Sequence, residues 1–272
     1  MNILDKIVAH KRTEIATAKA IKSRQELEKE KLFSKDTLSL KNSLRASTSP
    51  GIISEFKRQS PSKGIINDQV QPETVTAGYS AAGALGLSIL TDISFFGGSF
   101  EDFGKARAAN PTTPMLRKDF MVDEYQLFEA KAMGADVILL IAACLSPKEV
   151  KSLAKSAHNL GLEVLLEVHD REELNRSLCE HIDMVGVNNR NLKTFSTSVE
   201  TSVELLDLIP DSFVRISESG LKDAETIVRL FEQGYQGFLI GETFMKATDP
   251  AASLAELQAA IHRISNHKPQ II

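Results

Sequence analysis

Charged and polar residues sit at the ends of several short apolar runs. GIISEFK ends in Glu55 and Lys57, PMLRKDF carries Lys118 and Asp119, LEVLLEVH carries Glu167, DMVGVNN leads into Asn188 and Arg190, and FVRISES ends at Ser219. Apolar runs of this length read as β-strands, and side chains two apart on a strand share a face. Glu55 therefore points with Lys57, and Asn188 with Arg190. One such residue alone is as well explained by a solvated rim charge or an ion pair. Polar groups at the same end of five runs fit a pocket better. Three cations (Lys57, Lys118, Arg190) and two carboxylates (Glu55, Glu167) converging on one mouth imply an anionic substrate undergoing acid–base chemistry.

The elements that must position these residues alternate regularly from residue 51 onward. Ile-, Val- and Leu-rich runs at 51–57, 85–92, 114–120, 136–142, 162–169, 183–189, 213–219 and 236–242 are separated by segments of helical length. SPKEVKSLAKSAHNLG and KDAETIVRLFEQG open on Ser or Asp starts and close on Gly. Eight βα units predict an α/β fold, the (β/α)8 TIM barrel, whose active sites lie at the C-terminal ends of the strands. A doubly wound open sheet is the alternative, but no GxGxxG follows the first strand. Before the barrel (49–272), residues 1–48 repeat Ile3, Leu4, Ile7, Val8 and Ile15 at helical spacing. They predict an N-terminal helical extension of one or two helices covering one end of the barrel.

Loops after the last two strands of such barrels commonly bind phosphate through backbone N–H groups. Gly220 in SESGL and Gly241 in IGETF are the candidates, with the Ser60 hydroxyl able to join them. Glu242 must then turn its carboxylate away while its N–H serves the anion. Tight βα turns alone would also explain these glycines. Phe95, Phe96 and Phe120 either line an aromatic pocket or cap the barrel core.

Composition narrows the partners. A formal net charge of −4 with no Trp gives no field or stacking surface for nucleic acid. The first residues lack the apolar run of a signal peptide, and VILLIAACL is too short to span a bilayer, so a cytoplasmic protein with no membrane partner is expected. Cys144 and Cys179 have neither metal-ligand nor redox spacing and read as small core residues. The histidines show no HxH or HxxxH spacing. His169 lies just past a strand end, and no metal site or His-based triad is expected.

The segments SEFKRQSPSKG, LTDISFFGGSFED, LRKDFMVDEYQ, LLEVHD, VGVNNRNL, ISESG and FLIGETFM, in this order, resemble the indole-3-glycerol phosphate synthases. The likeness runs from near the first residue to about residue 260 and includes the helical extension. It implies a cofactor-free ring closure of 1-(2-carboxyphenylamino)-1-deoxyribulose 5-phosphate to indole-3-glycerol phosphate, with loss of CO2 and water. By the same resemblance Lys118 is the general acid at the carbonyl, Glu167 assists hydroxyl departure and Glu55 shares in proton removal. Lys57, Asn188 and Arg190 would hold the anionic groups and orient the ring. Ser60, Ser219, Gly220 and Gly241 match the phosphate neighbourhood, where Glu242 replaces a Ser of some relatives and keeps the backbone donor. Phe96, Phe120, Leu139 and Leu192 match the positions that sandwich the aromatic ring. The expected partner is a phosphorylated small molecule and the expected state a monomer. Physics alone leaves two alternatives: a Schiff-base aldolase using a strand-end lysine, and a phosphosugar-binding barrel without activity.

Overall fold

The computed structural model describes residues 3–191 and 195–266. Eight parallel strands close into a barrel: β1 (Gly51–Phe56), β2 (Gly86–Leu90), β3 (Met115–Lys118), β4 (Val137–Ile141), β5 (Glu163–Val168), β6 (Met184–Asn188), β7 (Val214–Glu218) and β8 (Gly237–Ile240). Each pairs with its neighbours in sequence, and β1 closes the ring on β8 with Ile53 opposite Leu239. The strands read as continuous apolar runs because parallel strands covered by helices are buried on both faces.

The two faces have separate cores. Ile52, Leu87, Ile138, Leu166, Val185 and Phe238 pack outward against the surrounding helices. Ile53, Leu116, Leu139, Leu165, Met184, Ile216 and Leu239 fill the barrel interior. Helix starts are fixed locally: Ser146 and Glu149 form a capping box ahead of Pro147–Asn159, and Asp223 accepts from Thr226 N–H at the head of Ala224–Gln233. Cys144 and Cys179 lie partly buried against the outer core.

The N-terminal segment forms three helices rather than one or two: α1 (Ile3–Ile21), α2 (Arg24–Leu27) and α3 (Leu40–Ala46). It closes both ends of the barrel, not one. At the N-terminal end of the strands, α3 inserts the fully buried Leu40 and Leu44 into the inner core. Glycines admit them, since a Cβ on Gly86 would lie 2.7 Å from Leu40 and one on Gly51 2.4 Å from Leu44. Polar ties at the strand starts hold α3: Lys41 to Asp183 at 3.0 Å, Ser39 to Glu163, and the Leu38 N–H to Asp136 at 2.8 Å. At the opposite mouth α1 contributes Ile7 to the inner core, with Ile3 and Leu4 beside it. Among the described residues no helix is long and apolar enough to cross a membrane.

Leu44→Ala is expected to leave a cavity between α3 and the barrel and to lower stability by about 2–5 kcal/mol, checked by urea unfolding. A loss under about 1 kcal/mol would show that α3 does not plug the barrel.

Candidate active site

Strand parity builds the site. The inward positions Ile53, Leu116, Leu165 and Ile216 continue, two residues on, into Glu55, Lys118, Glu167 and Glu218. These four come from β1, β3, β5 and β7. Interior side chains of a TIM barrel stack in layers contributed by alternate strands. The uppermost layer of this barrel is therefore ionic, above apolar layers of the same parity. It forms the floor of a cavity of about 940 Å3 at the C-terminal ends of the strands.

Lys118 is the hub of that layer. Its Nζ lies 2.7 Å from Glu218 Oε2 and 3.2 Å from Glu167 Oε2, with all three side chains largely buried. Burial alone would discharge the lysine, but the carboxylates of Glu218, Glu167 and Glu55 outweigh it and hold its pKa well above the ordinary lysine value. The two partners part company. Burial pushes Glu218 up to about 7, and the neighbouring Glu167 and Glu55 charges add to the rise against the pull of Lys118. Burial also opposes ionisation of Glu167, yet Lys118, His169 and the Asn188 amide at 3.1 Å bring its pKa below the ordinary range. Gly186 makes room for this arrangement, because a Cβ there would sit 2.1 Å from Glu218 Oε1.

Around the layer, Lys57 pairs with Glu55 at 2.5 Å, and Gly241 lets Glu55 fit, a Cβ there falling 2.5 Å from its Oε1. Arg190 meets Glu242 at 3.0 Å and Ser62 Oγ at 3.3 Å, and its backbone N–H donates to Asn188 Oδ1. The Glu242 carboxylate does not turn away as expected. It stays on the cavity wall, where Arg190 and Lys246 (2.6 Å) neutralise it. Burial opposes this, but those hydrogen bonds hold Glu242 down at about 2. Ser60, Ser219, Gly220 and Gly241 line the same cavity. Ser219 and Gly220 both take left-handed backbone, φ 68° and 75°, a conformation costly for Ser and natural for Gly.

Apolar walls face these charges. Phe96 and Phe120 stand with ring centroids 5.9 Å apart, and Leu139 lines the cavity with them. Phe95 packs against His10 of α1 instead. Leu192 lies outside the described residues. Ile3, Leu4 and Ile7 of α1 complete the wall, a contribution the sequence reading did not assign. Nor did it single out Lys11, whose buried Nζ bridges Asp92 at 2.9 Å and Asp119 at 3.0 Å. Asp92 caps the turn carrying Phe96, and Asp119 accepts from the Phe120 N–H, so one ammonium ties α1 to both ring-bearing segments. Asp119, beside Lys118 in sequence, thus faces away from the ionic layer. Glu218 has no signal of its own beside Ser219 in ISESG, but counting by twos from the apolar Ile216 finds it.

The fold and this mouth define a class: a TIM barrel with a buried ionic layer at the C-terminal ends of its strands. The chain belongs to the indole-3-glycerol phosphate synthase family, whose model matches residues 4–257. The indole-3-glycerol phosphate synthase of Bacteroides thetaiotaomicron is 49% identical over 260 residues, covering 96% of this chain and 99% of the relative. That of Bordetella pertussis is 42% identical over 261 residues, covering 95% and 99%. Among solved structures, 3-hexulose-6-phosphate synthase from Salmonella typhimurium superposes with a TM-score of 0.63 at 11% identity, covering 78% of this chain and 99% of that one. KGPDC from Streptococcus mutans gives 0.61 at 14%, covering 80% and 100%. At such identities these two share the fold alone.

The raised Glu218 makes a prediction about stability. Between its unfolded value of 4.5 and its folded value of about 7 the folded protein binds a proton that the unfolded chain releases, so this group lowers stability as pH rises through that window. Glu218→Gln removes the penalty and keeps an acceptor for Lys118. The variant is expected to gain on the wild type between pH 5 and 8 by on the order of 1–3 kcal/mol, read from denaturant curves across pH. A constant difference would show that Glu218 ionises normally.

Proposed function

We propose that this protein closes the indole ring of 1-(2-carboxyphenylamino)-1-deoxyribulose 5-phosphate, releasing CO2 and water as a carboxy-lyase of tryptophan biosynthesis. The observation that carries the reading is the Lys118 ammonium held between Glu167 and Glu218 at the floor of the mouth. The closure is redox-neutral overall, so acids and bases suffice and no cofactor is needed. Lys118 protonates the carbonyl oxygen as the ring carbon attacks the carbonyl carbon, an ammonium placed where negative charge develops. Glu218, whose pKa burial raises, sits 2.7 Å away to share that proton. Glu167 assists departure of the hydroxyl, and Glu55 shares in removing the proton that restores the double bond.

Lys57, Asn188 and Arg190 orient the anionic groups. Ser60, Ser219, Gly220, Gly241 and the Glu242 backbone receive the phosphate, while Phe96, Phe120, Leu139 and Leu192 flank the aromatic ring. The protein acts as a monomer in the cytoplasm, with neither nucleic acid nor membrane as partner.

The alternatives fit less well. A Schiff-base lysine must reach the neutral amine, whereas three carboxylates keep Lys118 charged. A barrel that only binds phosphosugars has no use for a buried, mutually tuned acid–base layer.

Fluorescence of the indole product, followed without added metal or cofactor, tests the proposal. Lys118→Ala is expected to lower kcat by about 10²–10⁴-fold with KM little changed, since the lost interaction belongs to the transition state. Wild-type turnover in that variant would remove Lys118 as the acid.

A further inference from the structure

Glu167 has a second ionisable neighbour that the proposed chemistry leaves unused. His169 follows it by two residues, and its Nε2 lies 3.5 Å from Glu167 Oε1. The other ring nitrogen is fixed. Nδ1 stands 3.1 Å from Glu173 Oε2, which also accepts the His169 backbone N–H at 2.8 Å. An ionised carboxylate only accepts, so Nδ1 carries its proton in every state and Nε2 is the atom that titrates. Nε2 is buried and has no hydrogen-bond partner among the described residues.

A bare Nε2 lone pair facing a carboxylate oxygen is repulsive, while a proton between them makes the contact attractive. Burial works against charging His169, but the Glu173 hydrogen bond and the charges of Glu167, Glu173 and Glu218 outweigh it, and its pKa rises above the ordinary 6.5. The other groups bearing on this neighbourhood do not compete for that proton. Lys118 and the Asn188 amide already serve Glu167. The Cys144 thiol, pushed up by burial and by Glu167, Glu173 and Asp5, stays neutral.

We infer that His169 is a positioning residue that supplies protons to Glu167, passing one from Nε2 to Oε1. This deepens the function proposed above and rests on it. The chemistry requires such a supply. The benzoate leaves as CO2 with its bond electrons remaining on the ring carbon, and the carbonyl oxygen leaves as water. Two protons enter, at the carbonyl oxygen and at the departing hydroxyl, and one is lost as the double bond forms. Each turnover therefore takes one net proton from outside the substrate. Glu167 rests ionised, so the proton it gives to the hydroxyl is the one it takes from Nε2; Glu167 returns to its carboxylate and His169 becomes neutral, keeping Nδ1–H on Glu173. Solvent then recharges Nε2. His169 is not among the described residues that line the cavity, and 12% of its side-chain surface remains exposed although Nε2 itself is buried.

Two measurements test this. In substrate-free protein, the His169 imidazole followed by NMR is expected to titrate above pH 6.5 and to shift downward in Glu167→Gln. In kinetics, His169→Asn keeps a donor for Glu173 but cannot titrate; kcat is expected to fall about tenfold or more with KM within about twofold. The alkaline fall in kcat that His169 sets in the wild type should vanish in the variant. A titration indifferent to Glu167→Gln, or a wild-type kcat and pH profile in His169→Asn, overturns the inference. The NMR titration needs neither turnover nor the folding of His169→Asn. Absence of ring closure by the wild-type protein would refute the function proposal, and the titration would still decide whether the two side chains share a proton.

Discussion

The floor of the mouth depends on one buried ionic contact, Lys118 between Glu218 and Glu167. Removing charges from water costs several kcal/mol per ion, which is recovered only when the geometry is right and the remaining polar atoms are served. Barrel register supplies that geometry. Glu55, Lys118, Glu167 and Glu218 occupy one layer of alternate strands, and the apolar residues below them fix how far each strand reaches. Glycine at 186 and 241 completes the fit, because any larger residue would displace Glu218 or Glu55. The ionic layer thus sits on the strands of the barrel rather than on its loops.

The N-terminal helices set the boundary conditions for that layer. From below, α3 plugs the barrel with Leu40 and Leu44 and ties itself to Asp136, Glu163 and Asp183 at the strand starts. From above, α1 lays Ile3, Leu4 and Ile7 along the cavity and drives Lys11 between Asp92 and Asp119. That lysine positions Phe96 and Phe120 through the two aspartates, while Arg117 and Thr91 complete the hydrogen bonding of Asp119. The aromatic wall is therefore set by tertiary ion pairing and not by its own loop.

This division explains what could be read from the sequence. The eight strands were legible because doubly buried strands leave unbroken apolar runs, and Glu55, Lys118 and Glu167 stood out as charges ending them. Glu218 was hidden because ISESG offers three polar residues at a turn, and only parity from Ile216 selects among them. Lys11 and the α1 side chains gave no signal beyond an amphipathic helix, since their partners lie about a hundred residues away. The carboxylate of Glu242 was placed wrongly because its neutralising partner Arg190 comes from a different strand end. Local chemistry was visible, and pairing across the barrel was not.

The two carboxylates that share Lys118 lie in unlike surroundings. Glu167 receives two further donors or cations, the Asn188 amide and His169, and its ionised form is favoured. Glu218 has an oxygen buried without any partner, and its ionised form is penalised. Environments that drive two neighbouring acids apart are how acid and base roles are assigned within one site. A hydrogen bond to Glu218 Oε1 would favour its ionised form and make the two acids of the layer more alike, so the difference between them rests on how unequally their oxygens are served.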